Sequence, residues 1–523
     1  MAGKRSLRQW LWEQRTSSRL AYLLQVGSRI LTSALALFWI RLLVGAMGIP
    51  LNGLFLAFQS VFSLGGLGDL GMGGAVSLRV GQYLGAGKSK EAELQKFLAS
   101  ARMVFLLLAV ACGVGVLALS PWLPRWLEFP TVTGAGPLTN VFGVGAMIIA
   151  CVLLFSYLSN LNYACGNIAW PVLPDFALLQ ISMLCHWWLA RHEQPLWVQY
   201  LPYLMSAAVK LFLMRTYVRI SHPALSRMLP LTFDRALMGS LLEGSFWVYL
   251  CVLGNSIYRN TDALVINAGF PAGTLPGYTY NYKFCEIMVF VVSTASFVIL
   301  PKMTQWMASP DPKDHERVRV EMRRLNQFQT LLGCGASLAY LAGNDIFMKV
   351  WWLHKANPIL PAALPLQLAF ALNLAVTASG DAGLQLAFRA GSRGLRFVGG
   401  TVALTGLLNV ALSIVAMKMG SLQGIALATV VAQSLAMLAS SYYISRYLKM
   451  AWLPWAFKGC FLPLLGISFA GWLRMQWPLD TWPHIFMLVG AYAGMLLAAA
   501  WGLGVNAALI REELKVVEKF FGR

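Results

Sequence analysis

Apolar residues in this chain do not alternate with polar ones. They run in blocks of about 20 or more, the length a helix needs to cross a bilayer. Strands of a membrane barrel would instead show ten-residue alternations. Fourteen blocks predict fourteen helical spans, at roughly 20–43, 50–72, 98–120, 138–160, 171–190, 196–218, 240–268, 278–300, 326–348, 361–388, 397–418, 424–446, 453–474 and 484–507. The second is rich in glycine, and the fifth contains Pro174 and Asp175.

Composition agrees with a lipid-solvated chain. Of 523 residues, 58% are hydrophobic and 12% charged, with a mean hydropathy of +0.62. A soluble domain carries about twice that share of charge, so soluble enzymes and disordered chains are excluded. The net charge of +20, from 41 Lys+Arg against 21 Asp+Glu, would suggest nucleic acid in a soluble protein. Here its placement decides. About 28 basic residues fall on the N-terminal segment, the even-numbered loops and the tail, against about seven on the other side. Both termini are therefore expected in the cytoplasm, and the excess charge is topological, with added attraction to anionic membrane lipids. No nucleic-acid partner is expected. The basic N-terminus (Lys4, Arg5, Arg8, Arg15, Arg19) precedes an apolar run too long for a signal peptide, which reads as the first membrane helix.

Two inside loops, 79–97 and 302–325, mix charge with spaced apolar positions, as interfacial amphipathic helices do. Each follows the second span of a half, which suggests an internal repeat. Segment 41–50 aligns with 262–271, matching Leu43/Leu264, Val44/Val265, Gly48/Gly269 and Pro50/Pro271. Six spans separate the copies, so they share one orientation, as in a parallel transporter repeat. The expected organisation is a basic N-terminal segment (1–19), an N-lobe of spans one to six (20–220), a C-lobe of spans seven to twelve (235–450), spans thirteen and fourteen (451–508) and a cytoplasmic tail (509–523). The fold class is all-α: a polytopic membrane protein with about 14 transmembrane helices, in two pseudo-symmetric six-helix lobes plus two extra C-terminal helices.

Chemistry-bearing motifs are few. The stretch Gly66-Leu-Gly68-Asp-Leu-Gly71 has the spacing of a dinucleotide loop but lies within a membrane span, with no preceding strand. Its glycines fit helix packing better. The eight cysteines and six histidines form no ligand or catalytic pattern, so neither metal nor enzymatic activity is expected.

Charges inside the spans are informative because each is costly at a helix centre. Arg29, Asp69, Asp175, Lys210, Glu243 and Asp381 fall in the cytoplasmic halves of their spans. Arg259 and Asp262, and Lys283 and Glu286, fall in the outer halves of spans seven and eight. Both latter pairs are spaced i, i+3, so each can neutralise itself on one helix face, and the two pairs are expected close together across the helices. Arg29 has no acid three or four positions away. Either it pairs with another helix, or it faces a water-filled cavity and awaits an anion. Lys210 has the further option of reaching back to the cytoplasmic surface. Tyr249, Asn255, Tyr258, Asn260, Tyr278, Tyr280, Asn281 and Tyr282 crowd around the charged pairs. Aromatic faces beside amides and hydroxyls suit a sugar, and tyrosine equally suits a membrane interface.

These features together resemble a known family. Arg41-Leu-Leu-x-Gly, Gly68-Asp-Leu-Gly-Met-Gly-Gly, the charged 85–93 stretch, Asn260-Thr-Asp262-Ala-Leu-Val-Ile, Leu407-Leu-Asn409-Val-Ala-Leu-Ser413 and Gly420-Ser-Leu-Gln-Gly424 resemble polysaccharide-type flippases of the multidrug/oligosaccharidyl-lipid/polysaccharide exporter superfamily. Trp351-Trp-Leu-His departs from the Trp-Leu-Gly turn often found in that family. The resemblance implies two six-helix lobes around a central cavity. It also implies export of a lipid-linked oligosaccharide on polyprenyl diphosphate, across the inner (plasma) membrane, for cell-surface polysaccharide synthesis. Candidate head-group cations are Arg29, Arg41, Lys210, Arg259 and Lys283; candidate ion-coupling acids are Asp262, Glu286 and Asp381. No cofactor is expected beyond possible H⁺ or Na⁺ coupling. Partners would be the glycan lipid, membrane lipids and a polysaccharide polymerase or glycosyltransferases. The alternatives are a drug/cation antiporter of the same superfamily, against which Arg29 in span one weighs, and a scaffold for a synthesis complex. A membrane glycosyltransferase would need larger outer loops than the expected ones of about 5–17 residues to house its catalytic groups.

Overall fold

The computed structural model describes residues 18–65, 91–126, 132–164, 172–221, 234–271, 273–308, 311–352, 359–477 and 481–503, with single positions between 69 and 80 and at 479. Among the described residues every regular element is helical. Among the described residues fourteen longer helices overlap the expected blocks. They are α1 (Ser18–Met47), α2 (Ile49–Gly65), α3 (Glu91–Leu119), α4 (Leu138–Ala164), α5 (Val172–Arg191), α6 (Leu201–Ser221) and α7 (Arg235–Gly269), followed by α8 (Thr274–Ala308), α9 (Pro312–Trp351), α10 (Leu364–Arg389), α11 (Gly391–Lys418), α12 (Leu422–Tyr447), α13 (Leu462–Gln476) and α14 (Trp482–Leu503). Nine helical stretches among the described residues are long and apolar enough to cross a membrane. Helix is the expected solution in lipid, because it satisfies its backbone groups within one segment.

Burial is distributed as lipid solvation requires. Phe212, Leu404, Leu497 and Trp501 stand exposed, Trp501 at 86%, while Asn52, Asn162, Gln329, Ser337 and Asn409 are buried. The buried polar groups tie helices together, since lipid offers them no partner. Asn162 donates to the Met214 carbonyl at 2.9 Å, joining α4 to α6, and Ser337 donates to the Ala371 carbonyl at 2.9 Å, joining α9 to α10.

The chain forms two compact units, Met1–Pro276 and Gly277–Arg523. This boundary differs from the expected lobe boundary near 221–234, because α7 lies along α2 within the first unit. Packing and repeat are different cuts of one chain: the first follows contacts, the second sequence correspondence. In the first unit, α1 packs on α5, where Trp39 Nε1 donates to Gln180 Oε1 at 2.8 Å, and α4 packs between α3 and α6. Two turns of this unit carry the sequence repeat, and they pack on each other. Gly48 reverses the chain in one residue between α1 and α2, with φ +75°, a conformation that favours glycine. In the turn after α7, Gly273 comes so near Ile49 that an added Cβ would stand 3.1 Å from its Cγ2. Pro50, Gly53, Asn267 and Pro271 line the small cavity between the two turns.

In the second unit α10 is central, in contact with α9, α11, α12 and α13. Asp311 caps α9 by accepting from Lys313 N at 2.9 Å, and Ser421 caps α12 by accepting from Gly424 N at 3.0 Å. A short helix, Trp452–Ala456, and a π turn, Phe457–Phe461, lead into α13. The amphipathic stretch expected as a separate interfacial helix at 302–325 is instead the end of α8 and the first third of the 40-residue α9. Ion pairs spaced i, i+3 (Arg317–Asp314, Arg319–Glu316, Arg324–Glu321) line that third, which lets a charged segment continue straight into an apolar one. Its expected counterpart at 79–97 lies largely outside the described residues, and α3 begins at Glu91.

Candidate functional site

In the first unit, the glycine-rich end of the second block is a pinned turn. Asp69 accepts from Gly71 N and from Ser156 Oγ, both at 2.8 Å, which fixes the turn to α4. Gly71 has φ +72°, and an added Cβ would stand 2.8 Å from both Ser245 O and Tyr249 N of α7. Gly71 of this motif therefore serves close helix packing, as expected, and Gly66 and Gly68 lie outside the described residues. Lys210 of α6 forms an ion pair with Asp175 of α5 rather than reaching for the surface alone. Arg41 is half-buried in α1, and Asp262 is buried in α7. The backbone positions of Arg29 and Arg259 lie in α1 and α7, but their side chains, and that of Glu243, lie outside the described residues.

In the second unit, Lys283 pairs with Glu286 one turn along α8, at 2.7 Å, as their spacing allows. Asp262 belongs to the first unit, so the structure assigns the two outer pairs to separate units. Asp381 is buried in α10 and accepts from Gln329 Nε2 of α9 at 3.4 Å. Of the expected sugar-facing residues, Asn281 is a structural hub. It donates to the carbonyls of Gly277 and Leu360 and accepts from Asn344 Nδ2 and Ala362 N, which uses its whole amide. Tyr282 accepts from Asn373 Nδ2 at 3.2 Å, joining α8 to α10.

One buried charge escapes a sequence reading. Arg474 counts as an outer-loop residue by position, yet in α13 it is buried and bound to Asp345 of α9 at 2.5 Å. It also donates to the Leu341 carbonyl and to Gln367 Oε1 of α10. Asp345 carried no signal in the sequence, because Lys349 four residues on offers it a partner on the same helix.

No family model matches the chain, and no curated protein matches it. Among solved structures it is similar to the lipid II flippase MurJ in an inward-closed conformation, with a TM-score of 0.67 and 16% identity, over 92% of this chain and 98% of that one. It is also similar to an inward-facing multidrug resistance MATE transporter of the MOP superfamily, with a TM-score of 0.61 and 12% identity, over 79% and 94% of the two chains. A eukaryotic MATE transporter matches with a TM-score of 0.57 and 14% identity, over 86% and 99%. The chain has the fold of the MOP-superfamily transporters. In this MOP fold the all-helical, multi-pass architecture inferred from the apolar blocks is the observed one, and the neighbours are transporters rather than enzymes.

Proposed function

We propose that this MOP-fold chain is a flippase that moves a glycan carried on polyprenyl diphosphate from the cytoplasmic to the outer leaflet. The supporting observation is the match to MurJ over 92% of the chain, a share the first 450 residues cannot fill by themselves. The match therefore takes in residues beyond α12, whereas the MATE matches, at 79% and 86%, need not. The physical task is to move a bulky polar head and a diphosphate through a barrier in which neither is soluble. A cationic cavity lowers that barrier, and arginine suits a diphosphate because its planar fork makes several charge-assisted hydrogen bonds. Rocking of pseudo-symmetric halves would then expose the cavity to each side in turn.

On this reading Arg29, Arg41 and Arg259 are the leading head-group cations. Lys210 and Lys283 rank below them, because Asp175 and Glu286 already hold their charges. Coupling to H⁺ or Na⁺ would fall to the buried acids Asp262 and Asp381 before the exposed Glu286. The site is the inner membrane with both termini inside, and a polymerase or glycosyltransferase would be the neighbouring partner. Buried carboxylates also suit a cation antiporter, and the MATE likeness favours that second reading.

Reconstitution separates the two. Proteoliposomes carrying a fluorescent polyprenyl-diphosphate glycan should lose leaflet asymmetry faster than protein-free vesicles, and ethidium should not accumulate in response to a proton or sodium gradient. Ethidium transport without glycan-lipid movement would replace the flippase reading with antiport.

A further inference from the structure

The polar residues of the second unit fall into two kinds. Asn281, Asn344 and Ser337 are buried and spend their groups on backbone carbonyls or on one another, as structural ties do. A second group joins side chains to one another. Asn373 Nδ2 donates to Tyr282 Oη, the Thr377 hydroxyl lies 3.1 Å from Asn373 Oδ1, and the same hydroxyl meets Gln433 Oε1. The chain Tyr282–Asn373–Thr377–Gln433 thus crosses α8, α10 and α12.

Its exposure sets it apart. From residue 369 to 379 of α10 every position is buried except Thr377, and Tyr282 and Gln433, on the neighbouring helices, are half-exposed as well. An otherwise sealed helix therefore opens where the hydroxyl sits. All four members are neutral, and the nearest carboxylate on this face of α10, Asp381 one turn further, is engaged by Gln329.

Proton counting limits what the chain can spend on itself. The Thr377 hydroxyl has one proton and two amides beside it, so it cannot donate to both. Both contacts are satisfied when either amide turns its NH₂ toward the hydroxyl and the other accepts from it through its oxygen. Either way the half-exposed Gln433 amide spends one group on Thr377 and keeps an acceptor lone pair and an N–H donor at one end of the chain. Adjacent neutral donors and acceptors match a ligand whose own groups are each both donor and acceptor, which is the chemistry of a hydroxyl. Tyr282 adds a ring held in place against Phe370, their centroids 5.1 Å apart.

We propose that this strip on the second unit binds saccharide hydroxyls of the transported head group. The proposal rests on the flippase reading and deepens it: diphosphate recognition falls to the arginines, and the strip reads the sugar.

The test uses the full-length protein in detergent and native mass spectrometry with two probes. One is bare polyprenyl diphosphate; the other is the pool of glycan-linked polyprenyl diphosphates extracted from the source membranes. Gln433→Leu and the near-isosteric Thr377→Val should weaken binding of the glycan-linked pool about tenfold, the size of one neutral hydrogen bond lost. Both should leave bare polyprenyl diphosphate binding unchanged, and Thr377→Ser should bind the pool as the native protein does. Monodisperse elution of each variant establishes that it folds. Equal binding of the glycan-linked pool by native protein and both variants would overturn the strip and leave the flippase reading standing. Parallel losses for both probes would also overturn it, because a sugar site does not sense the bare lipid. Failure of the native protein to bind either probe would overturn both readings.

Discussion

Arg474 of α13 and Asp345 of α9 form a buried ion pair, with Gln367 of α10 donating to the same carboxylate. Three helices thus meet at one charge cluster, which joins α13 to the body of the second unit. Removing one partner of a buried pair strands the other, at a cost of about 3–5 kcal/mol, and the partial exposure of Asp345 places this site toward the lower end. Arg474→Ala should therefore lower the melting temperature in detergent markedly. The double variant Arg474→Met/Asp345→Leu should melt above either single variant, because neither charge remains unpaired. Equal melting of the singles and the native protein would show that the pair contributes little.

Gly71 offers a comparison with Gly420. Both have positive φ, but an alanine at Gly71 would also press its Cβ against backbone atoms of α7, whereas Gly420 faces open space. Gly420→Ala should cost only the strain of the left-handed conformation, about 1–3 kcal/mol. Gly71→Ala should cost more, because backbone cannot move aside as a flexible side chain can. Thermal melting of the two variants in the same detergent checks the order.

The distribution of loop charge predicts both termini in the cytoplasm. A reporter fused after Leu448 should therefore read as inside, and one fused after Trp352 as outside. A reversed result at either point would sink the orientation and the assignment of Arg29 to the cytoplasmic half of its span.

Arg29 lies about nine residues into span one, near 13 Å deep at 1.5 Å per residue. If it meets the diphosphate, Arg29→Ala should leave the protein inserted but abolish glycan export. Arg29→Lys should restore export in part, since it keeps the charge and loses the fork. Arg29→Glu should be worse than alanine through added repulsion. Surface-glycan display in a strain lacking the transporter reads the effect, with membrane protein levels measured alongside. Normal export by Arg29→Ala at matched levels would assign Arg29 a structural role.

The apolar blocks alone determined the helical, lipid-solvated class and the positions of the helices. Lipid makes that legible, because a spanning segment must satisfy its backbone within itself and show its apolar residues outward. Local spacing was equally readable: Lys283 and Glu286 pair one turn apart, as the i, i+3 interval allows. What joins distant segments was not readable. Sequence position sends Arg474 to a loop, and only packing brings it to Asp345, 129 residues away. The tyrosine and asparagine crowd near span eight looked uniform in sequence. Tertiary structure divided it, consuming Asn281 in four hydrogen bonds and leaving Tyr282 on a half-exposed strip with Asn373, Thr377 and Gln433. A side chain's type sets what it can bind, but which of its groups remain available depends on neighbours that only the folded chain supplies.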